Sequence, residues 1–245
     1  MTLLPFSSFA EIKTVTHTVQ QPFGGSQSPD DARIAGIARA KREALERFGT
    51  YIESTTVVKN SQLDSDEILA LTAGVTKAEV IKQKNYTDGD GFGLEITVTV
   101  ELDTDVLNQS LKRLLQDRNH LNDLKAARVK EKQLLARIAE LEKLQKDKAG
   151  KKNASLKNEF KKASQGLAAV GYLEKGIVAW NEGNLTKAIE LFNQSILLAP
   201  DYIYAYTNRG SVSLLLSSVR LRTCMCRWSV KFGRYATRIQ FISFI

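Results

Sequence analysis

Apolar and polar positions alternate early in the chain. In residues 11–20, Ile12, Thr14 and Thr16 alternate with Lys13, Val15, His17 and Val19, a β-branched pattern that predicts a strand. Pro22, Gly24, Gly25 and Pro29 mark a loop over residues 21–29. A helix is then predicted from Ser28 as N-cap, with Pro29 at its first position and Asp30 and Asp31 in its first turn. It is expected to run to Phe48 and to end at Gly49. Ala32, Gly36, Ala40 and Ala44 recur every four residues, a small-residue stripe that lets a helix lie close against a sheet. Arg39, Lys41, Arg42, Glu43, Glu46 and Arg47 exclude a membrane-pairing role for that stripe.

Residues 50–59 are β-branched and predict a second strand. Residues 64–73 predict a short helix stopped by Gly74, and residues 76–86 and 92–102 predict two strands. Asp88-Gly89-Asp90-Gly91 is their hairpin turn. The predicted order is β-α-β-α-β-β, which makes residues 11–104 a small domain of the α+β class.

From Asp105 to about residue 148 the pattern is helical. Leu107, Leu111, Leu114 and Leu121 share one heptad frame; Leu124, Ala127, Leu134, Ile138 and Leu141 share another, shifted by three residues near 118–124. Glu131 interrupts the seam. The expectation is a long helix over 105–148, coiled-coil-like and a candidate for self-association. Residues 149–168 are expected to be a basic linker, lysine-rich and Gly-broken, or a frayed helix.

A different spacing starts at Ala169. Gly176 and Ala188 fall where two helices of a hairpin would cross. Tyr172, Trp180, Leu185, Ile189 and Phe192 fill its apolar seam, Gly183 makes the turn, and Pro200 ends the second helix. Tyr206 and Gly210 repeat Tyr172 and Gly176 after 34 residues. Residues 169–202 resemble a tetratricopeptide repeat: Tyr172, Gly176, Gly183, Ala188, Phe192 and Pro200 stand at that family's marked positions. Ala179 stands where an aromatic is usual and Ser195 where alanine is usual. The resemblance implies a helical hairpin that binds another protein or peptide through its first helix. Glu174, Lys175, Asn181 and, in the second unit, Asn208 are the partner-binding candidates. Residues 169–216 thus hold one repeat and a half.

The second repeat then fails, because Ser217, Arg222, Cys226 and Arg234 replace the residues the spacing requires. Six of the 35 basic residues lie in 217–245 with no acidic one, which leaves 29 basic against 27 acidic in residues 1–216. The overall net charge of +8 therefore belongs mainly to the tail. A reading-frame change from about Ser213 explains the broken repeat and the altered composition together; a basic tail touching anionic membrane or nucleic acid is the alternative. No recognition element accompanies the charge, so nucleic acid is not expected as a partner.

The pattern Ala38, Ala44, Leu45, Phe48-Gly49, then Tyr51 to Thr56, then Asp66-Glu67-Ile68, Val80-Ile81 and Leu94 to Val100 resembles the small N-terminal domain of flagellar assembly protein T and related bacterial envelope proteins. This implies a periplasmic, non-enzymatic domain. Ser8-Phe9-Ala10 has the form of a signal-peptidase site, so residues 1–10 are expected to be a signal-peptide remnant. If that signal is not genuine, the expected compartment is the cytoplasm.

No catalytic, cofactor-binding or metal-ligating set stands out. Asp88-Gly89-Asp90-Gly91 lacks the further oxygen ligands of a calcium loop. His17 and His120 have no ligand-spaced neighbours, and Cys224-x-Cys226 is not a strong metal spacing. No apolar run reaches the roughly 20 residues of a membrane span. The expectation is a non-enzymatic adaptor with no cofactor. The competing reading is a ligand-binding or enzymatic α+β domain docked by the repeat.

Overall fold

The structure, a computed structural model, describes residues 12–55, 58, 63–88, 91–147 and 153–218. The signal-peptide reading of residues 1–10 and all but the first two residues of the basic tail lie outside these. The described chain is mixed α+β. Its elements are β1 (Ile12–Phe23), α1 (Pro29–Glu53), α2 (Ser65–Val75), β2 (Lys77–Asp88), β3 (Gly91–Asp103), α3 (Thr104–Gln116), α4 (Arg118–Asp147), α5 (Ala154–Asn181) and α6 (Leu185–Leu198). A further helix, α7, occupies residues 203–218.

The strands form one antiparallel sheet in the order β1-β3-β2. Asp88 pairs with Gly91, so two residues, themselves outside the described ones, join β2 to β3. Leu94, Ile96, Val98, Val100 and Leu102 of β3 are all buried on the core face, and Thr97 and Thr99 on the opposite face are buried as well, between the two flanking strands. The small-residue stripe of α1 lies on that face. Ala32, Ala40 and Ala44 are fully buried, and a Cβ on Gly36 would come 2.6 Å from Cδ1 of Ile96. Ser28 caps α1 in a reciprocal box with Asp31.

The sequence expectations fail where packing outweighs local preference. The strand expected at 50–59 does not start: Thr50–Glu53 is the last turn of α1. Gly49 does not end the helix, because Ile52, one turn beyond Phe48, is fully buried. That burial outweighs the roughly 1 kcal/mol helix penalty of glycine. Gly74 likewise does not stop α2, which continues to Val75. Its role is close approach, since a Cβ there would lie 2.8 Å from Cδ1 of Leu124 and 2.9 Å from Cδ1 of Leu114.

The long helix expected over 105–148 is two helices, α3 and α4, broken at Asp117. Asp117 accepts from the backbone N–H of His120 through Oδ1 at 3.2 Å and so caps α4. The break falls where the heptad frame shifts. The seam expected to mediate self-association is filled from within the chain. Ile138 and Leu141 pack with Ala35 and Ala38 of α1 and with Leu156, Phe160, Ala163 and Leu167 of α5. Those last four residues also decide between linker and helix for residues 154–168, in favour of helix. They recur at helical spacing through residues 154–168, so this segment is the first half of α5, capped by Asn153.

Candidate interaction surface

The second half of α5 and α6 form a helical hairpin. Gly183 makes the turn with φ of 81°, a left-handed conformation that glycine adopts without strain. Asn184 caps α6 by accepting from the N–H of Lys187. Gly176 sits at the crossing, where a Cβ would meet Cε1 of Phe192 at 2.4 Å. Ala188 and Phe192 are fully buried. Ser195 is buried as well, and its hydroxyl donates to the carbonyl of Ala169 at 2.7 Å, so it ties the two helices together. Tyr172 is half-buried, and Pro200 lies in the bend between α6 and α7.

The four partner-binding candidates meet different fates. Glu174 is buried, only 1 % exposed, and its carboxylate takes ion pairs from Lys41 of α1 and Arg128 of α4. Arg128 also pairs with Glu131 at 2.8 Å. The seam-breaking Glu131 is therefore buried and charge-compensated. Burial, reinforced by the Arg128 charge and opposed by Glu131, pushes the Lys41 pKa down to about 7. Asn208 is 2 % exposed; its amide donates to Asp123 Oδ2 at 2.6 Å and to the Tyr204 carbonyl at 2.8 Å. Burial raises the Asp123 pKa, and this hydrogen bond opposes the rise. Asn181 is half-buried, and its amide donates to the Gly74 carbonyl at 3.4 Å. Only Lys175 is exposed. Glu174, Asn181 and Asn208 thus grip other parts of this chain, and they are not free for a partner. The face of α5 and α7 that carries them holds α4 and the end of α2. Nothing in the sequence signals this, because a polar residue at helical spacing has the same pattern whether water or a buried charge faces it.

The two histidines are each held by one carboxylate. His17 Nε2 lies 2.6 Å from Glu43, and His120 Nδ1 lies 2.9 Å from Asp117. The His120 ring stands edge-on to Trp180 at 3.9 Å between centroids. Its pKa is lowered by burial, against the pull of Asp117 and Asp123. Among the described residues no group of three or more His, Cys, Asp or Glu side chains is arranged to hold a metal ion. A cleft of about 680 Å³ opens between α1, β2 and α5, with Lys41, Lys175 and Arg33 facing Glu79 and Glu131. No described helix is long and apolar enough to cross a membrane.

The exposed apolar residues concentrate elsewhere. On α7, Ile203 is 65 %, Tyr206 39 % and Leu214 75 % exposed. They flank Gly210, which has no described neighbour within 4 Å of a Cβ built on it. Ile203, Tyr206, Gly210 and Leu214 fall on one helical face by their spacing. Searches against protein-family models, curated proteins and solved structures return no match for this chain.

Proposed function

We propose that this chain is a non-enzymatic adaptor or scaffold of the bacterial cell envelope, and that it binds a protein partner through tetratricopeptide-type helices. The observation that carries the reading is the pair Gly176 and Phe192, a glycine at a helix crossing under an aromatic ring, recurring in part 34 residues later as Gly210. Three of the four first-helix candidates are occupied internally, so the partner-binding surface in this reading moves to the face of α7 that no other described residue covers. Tyr206 and Leu214 are its central contacts, and Lys175 is the only one of the four original candidates that keeps a role. An amphipathic helix laid on an apolar helix face is a common mode of peptide recognition.

The ligand-binding alternative has one feature in its favour, the cleft beside Lys41. The adaptor reading accounts better for Lys41, whose ammonium is engaged by the buried Glu174. In-cell photo-cross-linking tests the choice. A photoreactive residue at Tyr206 or Leu214 should give a discrete adduct, and one at Asn208 should not. Fractionation of the same cells should place the adduct in the envelope. Equal adducts at Asn208 and Leu214, or a purely cytoplasmic protein, would remove the reading.

A further inference from the structure

The two edges of the sheet are built differently. The β2 edge carries Lys77, Lys82 and Lys84, and its register slips between Val80 and Lys82. Lysines and a bulge are the devices that stop an edge strand from accepting another strand. The β1 edge is less protected. It runs twelve residues in unbroken register with β3, with no bulge, and carries one lysine, Lys13, and one proline, Pro22, both near its ends, and no acidic residue. Its core-facing Val15 and Val19 are only partly buried, although their partners Val100 and Ile96 on β3 are fully covered. The apolar layer therefore reaches the edge before it is closed. On the opposite face Thr14, Thr16 and Thr18 are exposed. Thr16 and Thr18 pair their hydroxyls with Thr99 and Thr97 at 3.0 and 2.9 Å.

We propose that β1 pairs antiparallel with β1 of a second copy of this chain, about a two-fold axis at His17, so that two three-stranded sheets become one of six strands. Residues directly opposite in an antiparallel pair share a face, and the axis at His17 satisfies both faces at once. Val15 meets Val19 of the second copy, and by symmetry Val19 meets its Val15, so each partly buried valine gains an apolar neighbour. On the other face Thr16 meets Thr18 of the second copy, which extends the row Thr99, Thr16 across the junction into Thr18 and Thr97. Moving the axis to Thr16 would instead set Val15 against His17 and Lys13 against Val19, which abandons the apolar match. The outer-edge backbone groups of β1, which no described strand pairs, are then satisfied by the second strand.

Light scattering on the purified full chain, coupled to size-exclusion chromatography at high micromolar concentration, is expected to give a dimer. The double variant Thr16→Lys/Thr18→Lys gives β1 the lysines that β2 already has. Both side chains are exposed, and each gives up one hydroxyl pairing, so circular dichroism should hold and melting should fall only by the cost of two such bonds while the dimer is lost. Register is tested in a Cys224→Ser/Cys226→Ser background: His17→Cys should be joined to its symmetry mate by a short bismaleimide, and Thr14→Cys should not. A monomeric wild-type chain overturns the proposal. So does a dimer that survives the double lysine variant with its fold intact, or cross-linking through Thr14→Cys without His17→Cys.

Discussion

Helices α5 and α7 carry the same motif with opposite outcomes. Tyr172 and Gly176 on α5 have their counterparts in Tyr206 and Gly210 on α7, 34 residues later. Gly176 is buried beneath Phe192 of α6, and Gly210 meets no described neighbour. The opposite faces behave alike: Glu174 and Asn208, again 34 residues apart, are both buried against α4. A helical repeat therefore has two faces here with separate fates. One face is consumed by the chain itself in both helices. The other is covered in α5 and open in α7. The difference suggests that intramolecular docking, not partner binding, fixes the first-helix polar residues.

The sharpest way to break this comparison is at Glu174. Glu174→Ala leaves the buried Arg128 with Glu131 alone and the half-buried Lys41 without its carboxylate, and should cost about 3–5 kcal/mol in denaturant unfolding. Lys175→Ala, the next residue on the same helix, should stay within about 0.5 kcal/mol. If both variants are silent, the polar face of α5 is not an internal contact.

The same cluster should respond to pH. The unfolded chain keeps the Lys41 proton to its ordinary value of 10.5, and the folded chain releases it near 7. The unfolded state thus binds more protons between these values, and stability should rise with pH across that window. Denaturation midpoints should be higher at pH 9 than at pH 7, and Lys41→Met should flatten the slope. A midpoint falling from pH 7 to 9 in the wild type, with the slope absent in Lys41→Met, would reverse the assignment.

Gly176 and Gly210 sharpen the comparison on the other face. Gly176→Val forces a side chain into the Phe192 ring and should cost at least about 1–3 kcal/mol, as overpacking does. Ala188→Leu should behave in the same way and lower both melting temperature and helical signal. Gly210→Val meets open space and should leave the melting temperature unchanged or slightly raised. Equal losses at the two glycines would mean that α7 is covered after all.

A smaller loss than at Glu174 or Gly176 is expected at Asn208. Its pattern position makes it a partner contact, so Asn208→Ala should leave folding nearly intact on the sequence reading. Its buried hydrogen bond to Asp123 changes the expectation to a loss of about 0.5–1.5 kcal/mol. Tyr206→Ser with Leu214→Ser should do the converse, holding the melting temperature and weakening partner cross-linking.

Sequence alone determined the elements with strong local signatures. The start of α1 follows from Ser28, Pro29 and Asp31, whose side chains satisfy and polarise the first turn whatever packs nearby. The alternation of β3, the hairpin at Gly183 and the buried set Gly176, Ala188 and Phe192 were legible for the same reason: period and turn chemistry act within a few residues. Even the break between α3 and α4 left a trace in the shifted heptad. Tertiary structure alone decided where α1 and α2 end, because Gly49 and Gly74 are held in helix by burial and close approach. It alone turned the lysine-rich segment before Leu167 into helix, by covering Leu156, Phe160 and Ala163. Above all, it decided the environment of Glu174. Helical period assigns a residue to a face, but the dielectric and the charges meeting that face come from α1 and α4, 133 and 46 positions away in the chain at Lys41 and Arg128. Contacts at such separations have no local signature, so only the folded chain could reveal that a surface glutamate by pattern is a buried ion pair in fact.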